Sequence, residues 1–285
     1  MKRVLITGKN SYIGTALEKW LMREPDRYKV SIVDMIDGSW KEKDFTDYDV
    51  VFHVAGIAHI KERRDNQDLY YKVNRDLAYE VAQKAKKDGV AHFILLSSMS
   101  VYGVENGVID RNTLLNPKTA YGKSKLEAEE LIKKLQNDSF TVAMIRPPMV
   151  YGKNCKGNYP KLASLALKLP IFPKVDNKRS MIYIDNLSEF VKQLIDRRSG
   201  GLFFPQNSEY INTRHMVRLI TEAHGKKIVM TKLFNPILRI LNVRTLNKVF
   251  GDLVYEMSMS EYEYISDYRV CGFSKSIIQT EGVRE

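Results

Sequence analysis

Apolar residues in this chain fall in short continuous runs separated by longer amphipathic stretches, the alternation that a parallel sheet covered by helices on both faces produces. Val4-Leu5-Ile6 makes residues 2–7 a buried strand, and residues 8–14 read as the turn into a helix that reaches Leu21 and stops before Pro25. Tyr28 to Val33, Val50 to Val54, Phe93 to Ser98 and Val142 to Arg146 repeat the short apolar pattern. A long helix is expected over about 65–87. Another is expected from Tyr121, because Pro117 lies upstream, Leu126, Ala128, Leu131, Ile132 and Leu135 recur at broadly helical spacing, and Lys133-Lys134 stand near its end. Only fifteen residues separate Asp34 from Val50, too few for the helix and strand of a complete crossover, so the sheet is expected to be trimmed there. Beyond, the pattern gives a strand near 181–184, a helix from Asn186 to about Arg198, a short strand over 200–204, a helix near 213–224 and a basic amphipathic one near 236–250. The fold class is α/β, a doubly wound parallel sheet with a smaller C-terminal lobe.

The chain of 285 residues, 44% hydrophobic and 28% charged, can bury a large core. No apolar run approaches the roughly 20 residues that span a bilayer. Met1-Lys2-Arg3 leads straight into a strand pattern rather than a signal peptide, so a cytoplasmic protein is expected. Two cysteines, Cys155 and Cys271, make no disulfide framework, and no metal-ligand spacing is visible, so metal chemistry is not expected. The formal charge of +11 suits an anionic partner. Because the basic residues are spread along the chain, a nucleotide diphosphate is the expected anion and nucleic acid is not.

Candidate chemistry centres on Tyr121 and Lys125, four residues apart and so on one face of a helix. A phenol titrates near 10 in water, and a neighbouring ammonium would draw it toward neutral pH. The pair alone is weak, but Leu95-Leu96-Ser97-Ser98-Met99-Ser100 upstream is an apolar run ending in hydroxyls, as a strand does where it delivers side chains to a crevice. Gly8, Asn10, Ser11, Tyr12, Ile13 and Gly14 form a glycine-bearing turn at a helix start, whose free backbone N–H groups suit pyrophosphate. Asp34 follows Gly14 by 20 residues, at the end of the second strand, where an acid hydrogen-bonds an adenosine ribose. Val54-Ala55-Gly56 allows close backbone approach to a ligand after the next strand. His59 reads as a solvated loop histidine.

With Ser98, Tyr121-Gly122-Lys123-Ser124-Lys125 and the glycine-bearing start, the chain resembles the extended short-chain dehydrogenase/reductase family, the nucleotide-sugar epimerases and dehydratases. The resemblance covers residues 1 to about 200, and it implies a Rossmann-like NAD-binding domain over 1–152, with the 175–205 segment returning to it, and a nucleotide-sugar lobe over 153–285. It implies that Ser98, not Ser97 or Ser100, acts with Tyr121 and Lys125. It further implies cofactor contacts from the turn, Asp34, Asp44, Phe45, Val54, Ala55, Gly56 and Pro148, support of the central strands by Asn74, and substrate contacts from Ser98, Asn158 and Arg179. Ser11 replaces the middle glycine of the family's Gly-x-x-Gly-x-x-Gly pattern. Asp34 would repel a 2′-phosphate, so NAD is expected over NADP, with Lys9 and Arg3 as cations able to soften that preference. The expected partner is a nucleotide-diphosphate sugar, UDP-linked, and the expected assembly a homodimer. A UDP-sugar 4-epimerase is the leading reading and a 4-keto-sugar reductase the alternative, because both need the same three residues. Met99-Ser100 stands where 4,6-dehydratases place an acidic pair, which disfavours dehydration. A non-catalytic dinucleotide sensor would ordinarily lack the tyrosine or the lysine. For the stretch 236–250, capping of the lobe is preferred to contact with a lipid surface.

Overall fold

The computed structural model describes residues 1–58, 60, 62–233 and 251–282. His59 and the amphipathic stretch 236–250 therefore lie outside the described residues. In chain order the elements are β1 (Lys2–Thr7), α1 (Tyr12–Leu21), β2 (Tyr28–Val33), β3 (Val50–His53), α2 (Gln67–Tyr71), α3 (Leu77–Lys87), β4 (His92–Leu96), β5 (Gly107–Ile109), α4 (Ala120–Lys133), β6 (Thr141–Ile145) and β7 (Met149–Tyr151). They continue with α5 (Asn158–Lys168), β8 (Ile171–Pro173), β9 (Met181–Tyr183), α6 (Ile184–Arg197), β10 (Gly201–Phe203), α7 (Thr213–Ala223), β11 (Val229–Thr231), β12 (Leu253–Tyr255) and α8 (Phe273–Glu281).

Six parallel strands form the central sheet in the order β10-β6-β4-β3-β1-β2. Both faces are covered, which is why the central strands are predominantly apolar. On one face α1 and α6 bury Leu17, Leu21, Leu187, Phe190 and Leu194. On the other, α3 and α4 bury Val81, Ala82, Ala128 and Ile132. The chain order reverses between β1 and β3, and the crevice at their C-terminal ends is where such sheets bind ligands.

The trimmed connection expected between Asp34 and Val50 is present: a single 3₁₀ turn at Ser39–Lys41 joins β2 to β3. With no crossover helix, Trp40 and Phe45 cover that part of the sheet and join the core under α3. Asp44 and Phe45, expected beside a cofactor, do not line the cleft. Phe45 is fully buried with the Lys84 ammonium 4.9 Å from its ring centroid, and the exposed Asp44 carboxylate accepts the backbone N–H of Thr46. The long helix expected over 65–87 is also modified. It begins with a 3₁₀ turn at Arg64–Asn66 and passes between α2 and α3 through a π-helical turn over Lys72–Asp76 that carries the buried Asn74. Such wide turns recur at functional sites.

After β6 the chain leaves the sheet for a lobe in which, among the described residues, β7 pairs with β9 and β8 with β11, while β12 returns to pair with β5, which precedes β6, all in parallel. Tyr151, Tyr159, Leu162, Val217, Phe273 and Ile277 share its core. Between these excursions α6 packs on α1 and β10 adds to the sheet beside β6, so the segment after β9 rejoins the strands of the first half.

Candidate active site

Thr119 caps α4, its hydroxyl accepting the Gly122 N–H at 3.1 Å, and this fixes where the helix begins. A side chain at Gly122 would put its Cβ 2.7 Å from the Ser100 carbonyl oxygen, so glycine is what lets α4 press against the turn that follows β4. The Ser98 hydroxyl accepts the Ser100 N–H at 3.1 Å and caps the 3₁₀ turn Met99–Tyr102. These two caps place Ser98 and Tyr121 on the wall of the same cleft. The Tyr70 ring packs edge-on against Tyr121 with centroids 6.4 Å apart, fixing the phenol from the other side.

One turn along, Lys125 is buried and its ammonium donates to the Leu96 carbonyl at 2.9 Å. Asn74 ties the neighbouring loop to the same helix: its side-chain oxygen accepts the Ile57 N–H at 2.9 Å, and its amide donates to Ile57 O at 3.1 Å and Ser124 Oγ at 3.3 Å. A Cβ at Gly56 would lie 2.8 Å from that Asn74 oxygen and 3.3 Å from the Lys125 nitrogen, so only glycine fits there.

A further turn along α4 stands Glu129, which the sequence reading missed. It is buried and receives the Arg146 guanidinium through Nε at 3.0 Å and Nη2 at 2.5 Å, and the Ser97 hydroxyl also donates to it. Arg146 completes its bonding to the Tyr102 hydroxyl at 3.0 Å. A buried ion pair with its remaining donors satisfied in this way is a rigid support. Its four-residue spacing from Lys125 was the available signal.

Burial sets the protonation of the pair. It pushes the Tyr121 hydroxyl above its ordinary value, and the neighbouring Ser98 hydroxyl pulls in the opposite direction. It pulls Lys125 down to about 8, with the carboxylate of Glu129 resisting. Desolvation of the phenolate is therefore the largest influence on Tyr121.

The cleft that holds these groups runs to the start of α1. Gly8 has φ +95°, and a Cβ there would meet the Ala55 backbone at 3.0 Å; Asn10 is also left-handed, at φ 62°. Ser11 acts as the N-cap of α1, accepting the Gly14 N–H at 3.0 Å. The replaced glycine thus becomes a cap and leaves the backbone path intact. Gly14 itself faces the sheet, where a Cβ would press on Ile6 and Val54 at 3.0 Å. Gly8 through Ile13, Asp34, Val54, Ala55, Gly56 and Pro148 line the cleft with Ser98, Tyr121 and Lys125. The Asp34 carboxylate is at the end of β2 and accepts the Ile36 N–H at 2.9 Å. Backbone curled without room for Cβ, a helix N-terminus and an acid at the second strand fit a dinucleotide. Trp40 and Lys41 line this end, where sequence reasoning had placed Asp44 and Phe45, which do not. Of the two cations considered beside Asp34, Lys9 lines the cleft. Arg3 is near the opposite end of β1 and pairs with Asp47 at 2.6 Å.

Asn158, at the start of α5, and Arg179 line the lobe side of the same cleft. The Arg179 backbone bridges Ile211 and Leu253, and its guanidinium donates to the Gly251 carbonyl at 2.9 Å. Burial pulls its pKa below the usual arginine range, with the Asp252 carboxylate resisting.

A family model described as the NAD dependent epimerase/dehydratase family matches residues 4–204. The chain is 31% identical over 258 residues to a UDP-glucose 4-epimerase of Vibrio cholerae, covering 79% of this chain and 76% of that protein. Its fold is shared with the UDP-glucuronic acid 4-epimerase of Bacillus cereus solved with NAD, at TM-score 0.73 and 18% identity over 98% of this chain and 96% of the other. A dTDP-4-dehydrorhamnose reductase of Clostridium acetobutylicum aligns at TM-score 0.65 and 23% identity, covering 80% and 82%. The chain belongs to the NAD-dependent epimerase/dehydratase family.

Proposed function

We propose that this family member uses NAD to act at C4 of a UDP-linked hexose as a 4-epimerase. The observation that carries the reading is the meeting of Ser98, Tyr121 and Lys125 in one cleft, between a dinucleotide cradle at one end and Asn158 and Arg179 at the other. Residues 1–152 and the returning segment hold the cofactor in this reading, and residues 153–285 mainly the sugar nucleotide. Bound NAD supplies the hydride acceptor and donor. Tyr121 removes the proton from the C4 hydroxyl and later returns it, while Ser98 hydrogen-bonds the same oxygen. Lys125 holds the ribose and keeps positive charge beneath the phenol. The enzyme is taken to be cytoplasmic and homodimeric. Incubation with UDP-glucose and NAD should give UDP-galactose; no interconversion of any UDP-hexose pair would remove the epimerase reading.

A 4-keto-sugar reductase is the second reading, favoured by the likeness to a reductase at TM-score 0.65. The cofactor that co-purifies separates them. Tightly held NAD supports the epimerase, whereas protein that arrives empty and oxidises added NADH only with a 4-keto sugar supports the reductase. A sensor without chemistry has no use for Ser98 and Tyr121 on the wall of the same cleft.

Two binding predictions follow from the ends of the cleft. NADH should bind at least about tenfold more tightly than NADPH, since a carboxylate facing the ribose repels an added phosphate. Fluorescence titration with both nucleotides tests this, and tighter NADPH binding would mean that Lys9 and Lys41, which line the same end, override Asp34. Arg179→Ala should raise the KM for the nucleotide sugar about ten- to a hundredfold, since a charge-assisted contact is worth roughly 1.5 to 3 kcal/mol. Cofactor affinity should hardly change. Equal UDP affinity of wild type and variant by calorimetry would take Arg179 out of the substrate site.

A further inference from the structure

The lobe carries a second surface, on the side where β8 and β11 pair. Ile171 lies opposite Val229 in the parallel register, and the alternation along both strands turns Phe172 and Met230 inward and this pair outward. Ile171 is 44% exposed and Val229 63%. Leu165 and Leu169, four residues apart at the end of α5, and Leu233, 78% exposed after β11, extend the apolar surface. Buried neighbours such as Leu162 and Ala166 show that α5 already spends its other face on the lobe core. Five large apolar side chains on adjoining segments exceed the isolated exposed residues normal on a soluble protein.

The charge around them is predominantly positive, with Asp176 and Glu222 at the outer ends of the two segments and Glu281 held by His224 and Tyr159. Residues 157–175 and 223–233, which form this face, contain six lysines and neither aspartate nor glutamate. All six lysines are exposed. Lys161 and Lys168 share the outward side of α5 with Leu165, and Lys226 reaches across to the Leu167 carbonyl at 3.1 Å, so the two segments are joined at the end of the helix. Lys227, two residues before Val229, lies at the strand's edge. In a two-fold dimer each copy would present the same patch to the other, setting lysines against lysines. Apolar side chains ringed by ammonium groups instead match the boundary of an anionic bilayer, where the side chains enter the acyl margin and the lysines meet phosphate.

We propose that this face, centred on Ile171 and Val229, docks the protein on an anionic phospholipid surface. The site lies at one end of α5, whose other end bears Asn158 in the cleft, and ten residues of helix separate the two by roughly 15 Å. Docking therefore holds the mouth of the cleft close to the lipid headgroups. The chain also runs on from Leu233 into residues 234–250, whose sequence holds three basic residues and no acid, so the sign of the charge is maintained.

Sedimentation of the full chain with vesicles tests this. The protein should pellet with phosphatidylcholine containing phosphatidylglycerol, remain in the supernatant with phosphatidylcholine alone, and be released by added salt. The double variant Lys226→Glu, Lys227→Glu should weaken vesicle binding by about tenfold or more, and Val229→Ser with Leu233→Ser should weaken it with the salt dependence retained. Both variants should keep wild-type turnover of a soluble nucleotide sugar, which separates lost docking from lost folding. Wild type that stays in the supernatant with phosphatidylglycerol vesicles overturns the proposal. So does vesicle binding indifferent to the charge reversal, or a dimer by analytical ultracentrifugation that Val229→Ser dissociates while lipid has no effect.

Discussion

Tyr121→Phe is expected to lower turnover by about a thousandfold or more while cofactor affinity stays within a few fold of wild type. The hydroxyl is the only atom removed. The ring keeps its edge contact with Tyr70, and α4 keeps the cap from Thr119 and the close approach at Gly122, so the change does not disturb the frame. What is lost is the one group placed to exchange a proton with the C4 oxygen, and positioned proton transfer contributes about 10² to 10⁴ in rate. Ser98 does not replace it, because a serine hydroxyl with no base beside it is a much weaker acid and base than a phenol next to a buried ammonium. Single-turnover rates and NAD titrations on both proteins measure the two effects separately. A variant that kept more than about a tenth of the wild-type rate, under about 1.4 kcal/mol of barrier, would show that Tyr121 is not the acid/base.

What could be read from the sequence depended on how local each determinant is. The turn from Gly8 to Gly14, the strand ending at Ser98 and the Tyr121–Lys125 spacing are each encoded within a few residues, and the fold places all of them in one cleft. Asp44 and Phe45 lie away from the cleft lining for a reason of coverage. Where β2 and β3 are joined without a helix, the sheet face must still be shielded from water, and Trp40 and Phe45 do this, so Phe45 turns into the core while Trp40 and Lys41 border the cleft. Glu129 was missed although it continues the four-residue series of Tyr121 and Lys125, because its partner Arg146 follows β6, outside the helix, and the pairing exists only in three dimensions. The lobe was least legible. Its strands are three residues long, and β5 finds β12 across just over half the chain, with no pattern in either segment to announce the pairing.

Lys125→Met is expected to abolish most activity, by about a hundredfold or more, and at the same time to leave nucleotide-free protein as stable as wild type or more so at neutral pH. Activity falls because the variant loses the charge beneath Tyr121 and a contact to the ribose, and NAD affinity should weaken with it. Stability moves the other way because the ammonium is buried. Lowering from 10.5 to about 8 means that the fold disfavours the charged form, by about 3 kcal/mol. Methionine fills similar space without that cost and gives up one hydrogen bond to the Leu96 carbonyl, a loss of about 1 kcal/mol. Glu129 is not orphaned, since Arg146 and Ser97 still satisfy it. The pH dependence fixes the sign. Below about pH 8 lysine is protonated in both folded and unfolded wild type, and the full cost is present. Between there and 10.5 the unfolded chain binds more protons than the folded one, so wild-type stability rises with pH. The variant has no such titration, and its advantage in Tm should be largest near neutrality and vanish as pH approaches the ordinary lysine range. Melting curves of both proteins from pH 7 upward measure it. A variant markedly less stable than wild type at pH 7, with a gap that does not change as the pH rises, would mean that the Lys125 ammonium is a structural strut of the fold, held at no net cost, and not a charge kept in place for the reaction.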